Sequence, residues 1–396
     1  LFFANPTQVP LSTMVAVEGS GVIAFDTQSG RQSPLAGEQQ AGRMIARLTL
    51  SPGEHALWWV QSEQPVARAR SERLEWKSIP LDFSGCEPVE PNVVPLDYCD
   101  YFGPATELTN VSTIAADTAN WHAQGFNQNL WRVSIQFKRT FVDAKVRKNS
   151  GFTLRYPFHV SERLAQSAEI WGLAAAVERP WLYEISCNGI PISQDASQPW
   201  FDEDTRLLRI GEAAAQGTNV LELHAPEFHV LAEIMPVVLR GQFRAIPRGN
   251  GFLLESVSPW KDGRHWGMEG WPFYPWKVDY RYRFSTLSES LVRVTIPDFG
   301  GSAIGVQFDD APPDWSCQNG RTIELPYSLP AGGHTLRMIL CGNLKNLLGP
   351  HFHDGLPGAW SWENCPSSQP SGSAYRIEST GLACAPQIEV VPTARL

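Results

Sequence analysis

Short apolar runs that alternate with polar residues, each ended by a turn signal, constrain the fold of this chain more than any other feature. The run Ala46–Leu50 is followed by Ser-Pro-Gly at residues 51–53, and the alternating run Ala56–Val60 begins soon after. Period-two alternation predicts half-buried strands, and Gly and Pro at the breaks predict turns. With 32 Gly and 31 Pro but only 18% charged residues, the sequence predicts an all-β protein built from tandem β-sandwiches.

Local signals place further elements in the first two thirds of the chain. The alternating run Trp181–Cys187 leads into an Asn-Gly pair at residues 188–189, which is the strongest short signal for a β-hairpin. The polar stretch Asp117–Phe126 interrupts the strand pattern and predicts a short helix or a loop. The segment Cys86–Pro104 is rich in Pro and acidic residues, so we expect a connector there.

A repeated order of elements predicts two related sandwiches in series. Arg206 and Gly217 are eleven residues apart, as are Arg321 and Gly332, and each Arg opens a strand while each Gly lies in the following turn. We therefore expect three domains. They are residues 1–104, a β-sandwich segment with a connector; residues 105–248, a jelly roll; and residues 249–396, a C-terminal jelly-roll β-sandwich.

Composition and motifs argue against several function classes. A net charge of −9 and a pI near 5.5 offer no basic patch for phosphates, so we expect no nucleic-acid partner. Apolar runs fall short of a membrane-spanning length, so we expect no membrane partner. The sequence lacks a phosphate-binding loop, a dinucleotide fingerprint, a G-x-S-x-G and an H-E-x-x-H motif, which disfavours nucleotide and hydride chemistry.

The cysteines and the first residues bear on compartment and completeness. Seven cysteines without a C-x-x-C pair predict thiols rather than a disulfide framework or a zinc site, with a Cys86–Cys99 or Cys317–Cys341 bridge as the alternative in a secreted protein. The opening Leu1–Pro6 has neither an initiator Met nor a signal-peptide pattern, so we expect a fragment, a processed product or one piece of a larger polypeptide. The compartment stays open, with a secreted or periplasmic location favoured.

Aromatic residues concentrate in the last third of the chain, where we predict a carbohydrate-binding surface. Seven of the fifteen tryptophans lie between Trp260 and Trp362. The flat apolar face and single N–H of Trp suit the C–H faces of sugar rings. The predicted carbohydrate-binding residues are Trp266, Trp271, Tyr274, Trp276, His351, His353, Asp354, Trp360 and Trp362. The alternative for the first four is a lid that packs over the end of a sandwich.

The group His351, His353 and Asp354 comes nearest to a chemical site. Alternate side chains of an extended segment share one face, so the two histidines could bind sugar hydroxyls together with the aspartate. A metal site completed by a further ligand and a structural loop packed on tryptophans are the alternatives. We expect no cofactor, although the surface turn predicted at residues 202–204 could instead hold a structural Ca²⁺.

Glycoside hydrolysis would require two carboxylates roughly 5 to 9 Å apart in space. The candidates are Glu178, Glu184, Asp202, Glu203, Glu233, Glu269 and Glu363. Their separation along the sequence gives no indication that any two meet, so we predict no catalytic residue in this chain.

Two stretches in the middle of the chain resemble the sugar-binding, galactose-binding-like jelly roll of family 2 glycoside hydrolases. They are Glu169–Ile192 and Gly217–Leu223. In that family a strand ending in Asn-Gly precedes an acidic turn, an Arg-led strand and a G-x-N motif. The resemblance implies that residues 105–248 form such a jelly roll.

Both ends of the chain resemble parts of family 106-type α-L-rhamnosidases. Residues 270–284, 346–354 and 360–365 resemble the last sandwich of those enzymes, and residues 1–8 and 22–35 resemble the sandwich after their catalytic barrel. A (β/α)₈ barrel needs about 250 residues, for which this chain has no room.

The resemblance therefore implies an accessory, carbohydrate-interacting region of a larger glycoside hydrolase. Its partners would be a glycan and a catalytic (β/α)₈ domain or subunit. One alternative is a glycosidase subunit that contributes to an active site shared with a separate catalytic chain. The other is a purely structural β-sandwich module.

Overall fold

The computed structural model describes residues 1–62, 74–127, 129, 150–349 and 372–395, apart from residues 8, 28, 29, 31, 51 and 196. Contacts divide the chain into two compact units, each assembled from separated segments. Unit 1 comprises Leu1–Gly85, Asp279–Leu340 and Leu382–Leu396, and unit 2 comprises Cys86–Val278 and Cys341–Gly381.

The chain is all-β, as the sequence predicted, and its described strands are numbered here in chain order. The first group is β1 (Phe2–Ala4), β2 (Leu11–Glu18), β3 (Gly21–Phe25), β4 (Gln32–Pro34), β5 (Gly37–Gln40), β6 (Arg43–Leu50), β7 (His55–Gln61), β8 (Lys77–Ser78), β9 (Asp82–Pro88), β10 (Asn92–Leu96), β11 (Tyr98–Phe102) and β12 (Glu107–Ser112). The second group is β13 (Phe152–Val160), β14 (Ala174–Glu178), β15 (Glu184–Cys187), β16 (Ile190–Pro191), β17 (Gln198–Trp200), β18 (Asp202–Arg209), β19 (Gly217–Ala225), β20 (Val237–Gly241), β21 (Arg244–Arg248) and β22 (Gly251–Glu255). The third group is β23 (Lys277–Thr286), β24 (Ser290–Thr295), β25 (Phe299–Gly300), β26 (Ala303–Phe308), β27 (Asp314–Ser316), β28 (Thr322–Glu324), β29 (Gly332–Cys341), β30 (Gly381–Leu382) and β31 (Gln387–Pro392).

The described α-helices are short. They are α1 (Thr113–Ala123), α2 (Glu162–Ala165) and α3 (Lys345–Leu348). Ser112 caps α1, because its Oγ accepts a hydrogen bond from the N–H of Ala115 at 3.2 Å. This helix overlaps the polar stretch in which a helix or a loop was expected. Over the described ranges, no helix is long and apolar enough to cross a membrane.

Unit 1 contains two pairs of sheets. In the first pair, the sheets β1-β7-β3-β4 and β2-β6-β5 enclose a small core that includes Trp58. Met44, Ala46, Leu48 and Leu50 alternate along β6 and are all buried in it, as the period-two pattern predicted. The second pair has the strand orders β27-β26-β29-β23-β9 and β28-β24-β31-β8.

Unit 2 is a β-sandwich around one large core. One sheet has the order β10-β20-β14-β18-β17, and the other follows β12-β11-β13-β19-β15-β16, with β22 beside β13 and β21 beside β22. Val93 and Ala175 of the first sheet and Tyr156 and Leu221 of the second are buried in the same cluster. Strand β13 pairs with β19 along its whole length, which fixes the middle of the second sheet.

The predicted hairpin at Asn188-Gly189 is present. Strand β15 pairs with β16, and Asn188 and Gly189 between them have φ of 53° and 77°. A two-residue type I′ turn requires this left-handed conformation. Gly217 and Gly332 begin β19 and β29, and in each case the preceding strand, β18 or β28, belongs to a different sheet.

The units do not coincide with the domains expected from the sequence, whose boundaries are at residues 104 and 248. The segment Cys86–Pro104 is not a connector, because it contains β10 and β11, and Val93 within it is fully buried. Pro95 fits in β10 because, among the described strands, β10 pairs only with β20, and an edge strand tolerates a residue without an N–H. The boundary at 248 would cut the β21–β22 hairpin.

The two thiols of the segment Cys86–Pro104 have little nucleophilic character. Cys86 and Cys99 are free, so the bridge considered between them is not formed. Burial, first among the causes, raises the pKa of each thiol to about 12. Both therefore stay protonated at neutral pH and lack the thiolate character of a nucleophile.

Candidate functional site

The aromatic loop, residues 260–276, lies between β22 and β23 and contains four of the predicted sugar-binding residues. Trp266, Trp271 and Tyr274 are only 0, 2 and 1% exposed. Tyr274 contacts both tryptophans, with ring centroids 5.6 Å from Trp266 and 5.1 Å from Trp271. Buried rings present no open face for a sugar, so the packing alternative describes these three residues.

Hydrogen bonds hold the aromatic loop in place. The hydroxyl of Tyr274 accepts the N–H of Glu90 at 2.9 Å and donates to the carbonyl of Lys277 at 2.9 Å. The N–H of Trp266 donates to the carbonyl of Thr380 at 3.1 Å. The loop is thus tied to separate parts of unit 2 by both backbone and side chain.

Trp276 is the predicted residue of the loop that reaches the surface. It is half-buried and lies beside Trp200 and Phe201, at centroid distances of 6.0 and 6.4 Å. Phe201 is 51% exposed and has a φ of 68°, a conformation that bulky residues rarely adopt. Trp200, Phe201 and Trp276 together form a partly exposed aromatic group.

The other predicted site residues have different outcomes. His351, His353, Asp354, Trp360 and Trp362 lie outside the described residues. The acidic segment 202–204 is not a turn but the start of β18, where Oδ1 of Asp202 accepts the N–H groups of Asp204 at 2.9 Å and Thr205 at 2.7 Å. Among the side chains that the structure describes, no group of three or more His, Cys, Asp or Glu could hold a metal ion.

A cleft lined by both polar and apolar residues opens in unit 2 where several strands end. Its volume is about 640 Å³, within the range of roughly 300–1,000 Å³ that is usual for small-molecule sites. The β10–β11 junction, β12, β13 and the β21–β22 turn supply its walls. The polar lining residues are Asp97, Tyr98, Asn110, His159, Arg248 and Asn250. Sequence reasoning singled out none of them.

Strand alternation positions His159 in the cleft. Phe158 and Val160 on either side are buried, so His159 lies on the outer face of β13. Its Nδ1 is 3.1 Å from Oγ1 of Thr218 on the neighbouring strand. Burial and, secondarily, the charge of Arg248 lower the pKa of His159 below its usual value, so the ring is mainly neutral at pH 7.

The two-residue turn between β21 and β22 presents Arg248. Gly249 adopts a φ of 56° in this turn, which glycine tolerates without strain. Arg248 is exposed and forms no ion pair with any carboxylate of the described chain. Its charge is therefore directed to the cleft and the solvent.

Asp97 is the buried acidic group of the cleft. It is 4% exposed, and its Oδ2 accepts the hydroxyl proton of Tyr375 in a 2.7 Å hydrogen bond. Burial, followed by the charge of Asp97, raises the pKa of Tyr375 well above its usual value. The phenol thus keeps its proton and remains a donor to Asp97.

A second charged cluster surrounds Arg179 at the end of β14. Arg179 Nη1 lies 2.6 Å from Oε1 of Glu178 and 3.6 Å from Oε2 of Glu233, and its Nε lies 3.1 Å from Oδ2 of Asp204. The backbone of Arg179 is left-handed, with a φ of 45°. The structure therefore brings together two carboxylates, Glu178 and Glu233, that are far apart in the sequence.

Burial shapes the electrostatics of this cluster. It raises the pKa of Glu178 to about 7, because the lowering effect of Arg179 is smaller and nearby carboxylates oppose ionisation. Burial also raises the pKa of Glu233, with the charge of Asp117 as the next cause. Both acids are thus harder to ionise than free glutamates.

Comparison with known proteins gives only distant neighbours. No family model matches the chain, and no curated protein matches it. Similar solved structures include a rhamnosidase from Novosphingobium sp. PP1Y (14% identity, 61% of this chain, 22% of that chain, TM-score 0.19). A second is a β-D-mannosidase from Dictyoglomus thermophilum (10% identity, 64% of this chain, 31% of that chain, TM-score 0.24). A third is an α-L-rhamnosidase from Streptomyces avermitilis complexed with L-rhamnose (10% identity, 85% of this chain, 34% of that chain, TM-score 0.27).

The three names are those of glycoside hydrolases, and the chain spans between 22 and 34% of the length of these structures. The TM-scores are too low for the likeness to carry an argument on activity, substrate or partners.

Proposed function

We propose that this chain is the accessory, carbohydrate-interacting β-sandwich region of a larger glycoside hydrolase, whose catalytic barrel lies outside it. The observation that carries this proposal is the cleft of unit 2, whose lining combines polar groups with apolar surface. Carboxylate, phenol, imidazole, guanidinium and amide groups surround a volume that would accommodate one or two sugar rings. Such convergent polar groups can exchange water for the hydroxyls of a sugar.

The family 2-like sequence stretches support this assignment because they form the unit that holds the cleft. Glu169–Ile192 supplies β14 and β15, and Gly217–Leu223 supplies most of β19. These are interior strands of the two sheets of unit 2. The jelly-roll identity of that sandwich is part of the proposal.

Two further observations favour binding over hydrolysis at the cleft. Asp97 is the one carboxylate among its lining residues, whereas glycoside hydrolysis uses a pair. The sheets whose register is described are mainly antiparallel, whereas a (β/α)₈ barrel is built from eight parallel strands, each followed by a helix.

A pair of matched substitutions tests the proposal. Gly251 lines the cleft and Gly172 is exposed elsewhere on unit 2; a Cβ at either position meets no atom within 4 Å, and neither residue has a left-handed φ. We expect Gly251→Phe to fill the cleft and abolish glycan binding in calorimetry against a broad glycan panel. Gly172→Phe should bind like the wild type.

The same experiment separates the alternatives. If the wild-type chain binds no glycan of the panel, the structural-module alternative replaces the proposal. If Gly251→Phe binds as well as Gly172→Phe, glycans bind elsewhere on the chain, and the partly exposed group of Trp200, Phe201 and Trp276 becomes the next position to substitute.

The cluster around Arg179 favours a second candidate, a glycosidase subunit that completes the active site of a separate chain. Because both oxygens lie near one Nη1, Oε1 of Glu178 and Oε2 of Glu233 are at most about 6 Å apart, a spacing that glycosidases use. A carboxyl with a pKa near 7 suits a general acid. The guanidinium of Arg179 contacts both carboxylates, which favours a structural role for Glu178 and Glu233. We therefore rank this candidate second.

Hydrolysis of aryl glycosides by the chain together with a co-purified barrel-sized polypeptide would support the second candidate. Glu178→Gln should then lower kcat by on the order of 10²–10⁴, while Glu184→Gln, an exposed glutamate of the same unit, should leave it unchanged. Equal rates for the two variants would exclude Glu178 as an acid catalyst.

A further inference from the structure

Charge is distributed unevenly among the groups that line the cleft. Its acidic and basic lining residues are Asp97, His159 and Arg248, beside the phenol of Tyr98. Asp97 is buried and hydrogen-bonded to Tyr375, so its carboxylate is directed to the interior and not to the opening of the cleft. Arg248 is exposed and without a carboxylate partner in the described chain. In a chain with a net charge of −9, the accessible charge of this cleft is positive.

Resting on the proposed carbohydrate function, we propose that the cleft selects a sugar with an anionic group, such as a uronic acid, and that Arg248 and His159 bind that group. A guanidinium forms paired, charge-assisted hydrogen bonds with a carboxylate and is the side chain best suited to one. The guanidinium of Arg248 lies at the mouth of the cleft and has no carboxylate partner among the described residues.

His159 supplies the second donor. Its Nδ1 faces the Thr218 hydroxyl, and its Nε2 has no hydrogen-bond partner among the described residues. When Thr218 donates to Nδ1, Nε2 carries the ring proton and can donate it to an anion. The ring and the guanidinium are close enough for Arg248 to affect the titration of His159.

This arrangement makes anion binding dependent on pH. Burial and Arg248 lower the pKa of His159 in the empty cleft. A bound anion would offset the repulsion between the two cations and favour the imidazolium, so binding would be coupled to proton uptake. The affinity for an anionic sugar should therefore rise as the pH falls through the titration range of His159.

Features of the cleft other than its charge favour a sugar over a small free anion. A volume of about 640 Å³ greatly exceeds the requirement of an acetate or a phosphate ion. Asn110, Asn250 and Tyr98 add amide and phenol groups at the same opening, which suit hydroxyls. Pro95 and Pro157 add apolar surface for ring carbons.

The test compares methyl β-D-glucuronide with methyl β-D-glucoside by calorimetry on the full chain. We expect the glucuronide to bind more tightly, and Arg248→Gln to remove on the order of tenfold to a hundredfold of that affinity. Arg209→Gln, an exposed arginine on β18 outside the cleft lining, is the matched control and should have no effect. His159→Gln should abolish the pH dependence of the glucuronide Kd.

The outcomes distinguish this inference from the function on which it rests. Equal binding of glucoside and glucuronide, insensitive to Arg248→Gln, overturns the inference and leaves the carbohydrate function standing. Binding of neither overturns the inference, and the broad glycan panel then decides whether the carbohydrate function stands. Glucose 6-sulfate identifies the group: tighter binding of the sulfate assigns a sulfated sugar and tighter binding of the glucuronide a uronic acid. If acetate or inorganic phosphate competes as strongly as the glucuronide, the site is an adventitious ion site only, and the inference fails.

Discussion

The aromatic loop and the cleft of unit 2 differ in how they expose the side chains that could contact a sugar. The loop contains the side chains best suited to stack on sugars, yet Trp266, Trp271 and Tyr274 are buried. The cleft is open, and its polar residues come from several separate strands. Large aromatic rings bury about 150–250 Å² each, so a cluster of them stabilises a core strongly. In this chain the high density of tryptophan therefore marks a loop that packs into the core of unit 2. The polar groups around the β21–β22 turn mark the position of the open cleft.

Replacing Trp266 should produce the largest effect. Trp266→Ala removes a fully buried indole, and we expect the free energy of unfolding to fall by about 3–5 kcal/mol in denaturant titrations. Trp181→Ala, at an exposed tryptophan of the same unit, is the control and should cost far less. Equal losses for the two variants would show that the loop is not part of the core.

Tyr375→Phe tests the buried side of the cleft. It deletes the hydroxyl that donates to Asp97, and we expect a loss of about 1–3 kcal/mol in the free energy of unfolding. Tyr327→Phe changes an exposed tyrosine and should be neutral. A neutral Tyr375→Phe would contradict the role assigned to this hydrogen bond.

Trp276→Ala separates the packing of the aromatic loop from its predicted contact with sugar. Because Trp276 is half-buried, its removal should lower the free energy of unfolding by about 1 kcal/mol. We expect glycan affinity to remain unchanged if the cleft is the binding site. A large loss of glycan affinity in a folded variant would restore the sugar-binding prediction for this residue.

Arg248→Gln should have the smallest effect on stability, within about 0.5 kcal/mol, because the side chain is exposed and without an ion pair in the described chain. Thermal unfolding of this variant should therefore match the wild type even where its binding of anionic sugars is lost. A clear destabilisation would show that Arg248 supports the fold.

The sequence predicted those features that depend on neighbouring residues. Alternation along β6 and the Asn188-Gly189 turn follow from local backbone and side-chain preferences. The all-β class followed from the same signals. Alternation could also have placed His159 on an outer face, and Gly-Asn-Gly at residues 249–251 could have marked a hairpin turn.

Features that depend on distant pairing could not be predicted in this way. The segment Cys86–Pro104 has the composition of a connector, but pairing of β10 with β20 places it beside the core. The hydrogen bond of Asp97 with Tyr375 and the meeting of Glu178 with Glu233 join residues far apart in the chain. Local patterns carry no information on such meetings, because they depend on which strands become neighbours.

The position of β31 has a kinetic consequence. This strand lies between β24 and β8, and Glu389 is in register with Ser78. Pairing β31 with β8, which lies far away in the sequence, closes a long loop. Closing such a loop costs conformational entropy before the strand contacts compensate for it. During synthesis, the edges of β24 and β8 that pair with β31 therefore stay unpaired until β31 has been made. Unpaired strand edges promote aggregation. Unit 1 is thus expected to complete its folding late and to gain from a chaperone that covers those edges meanwhile.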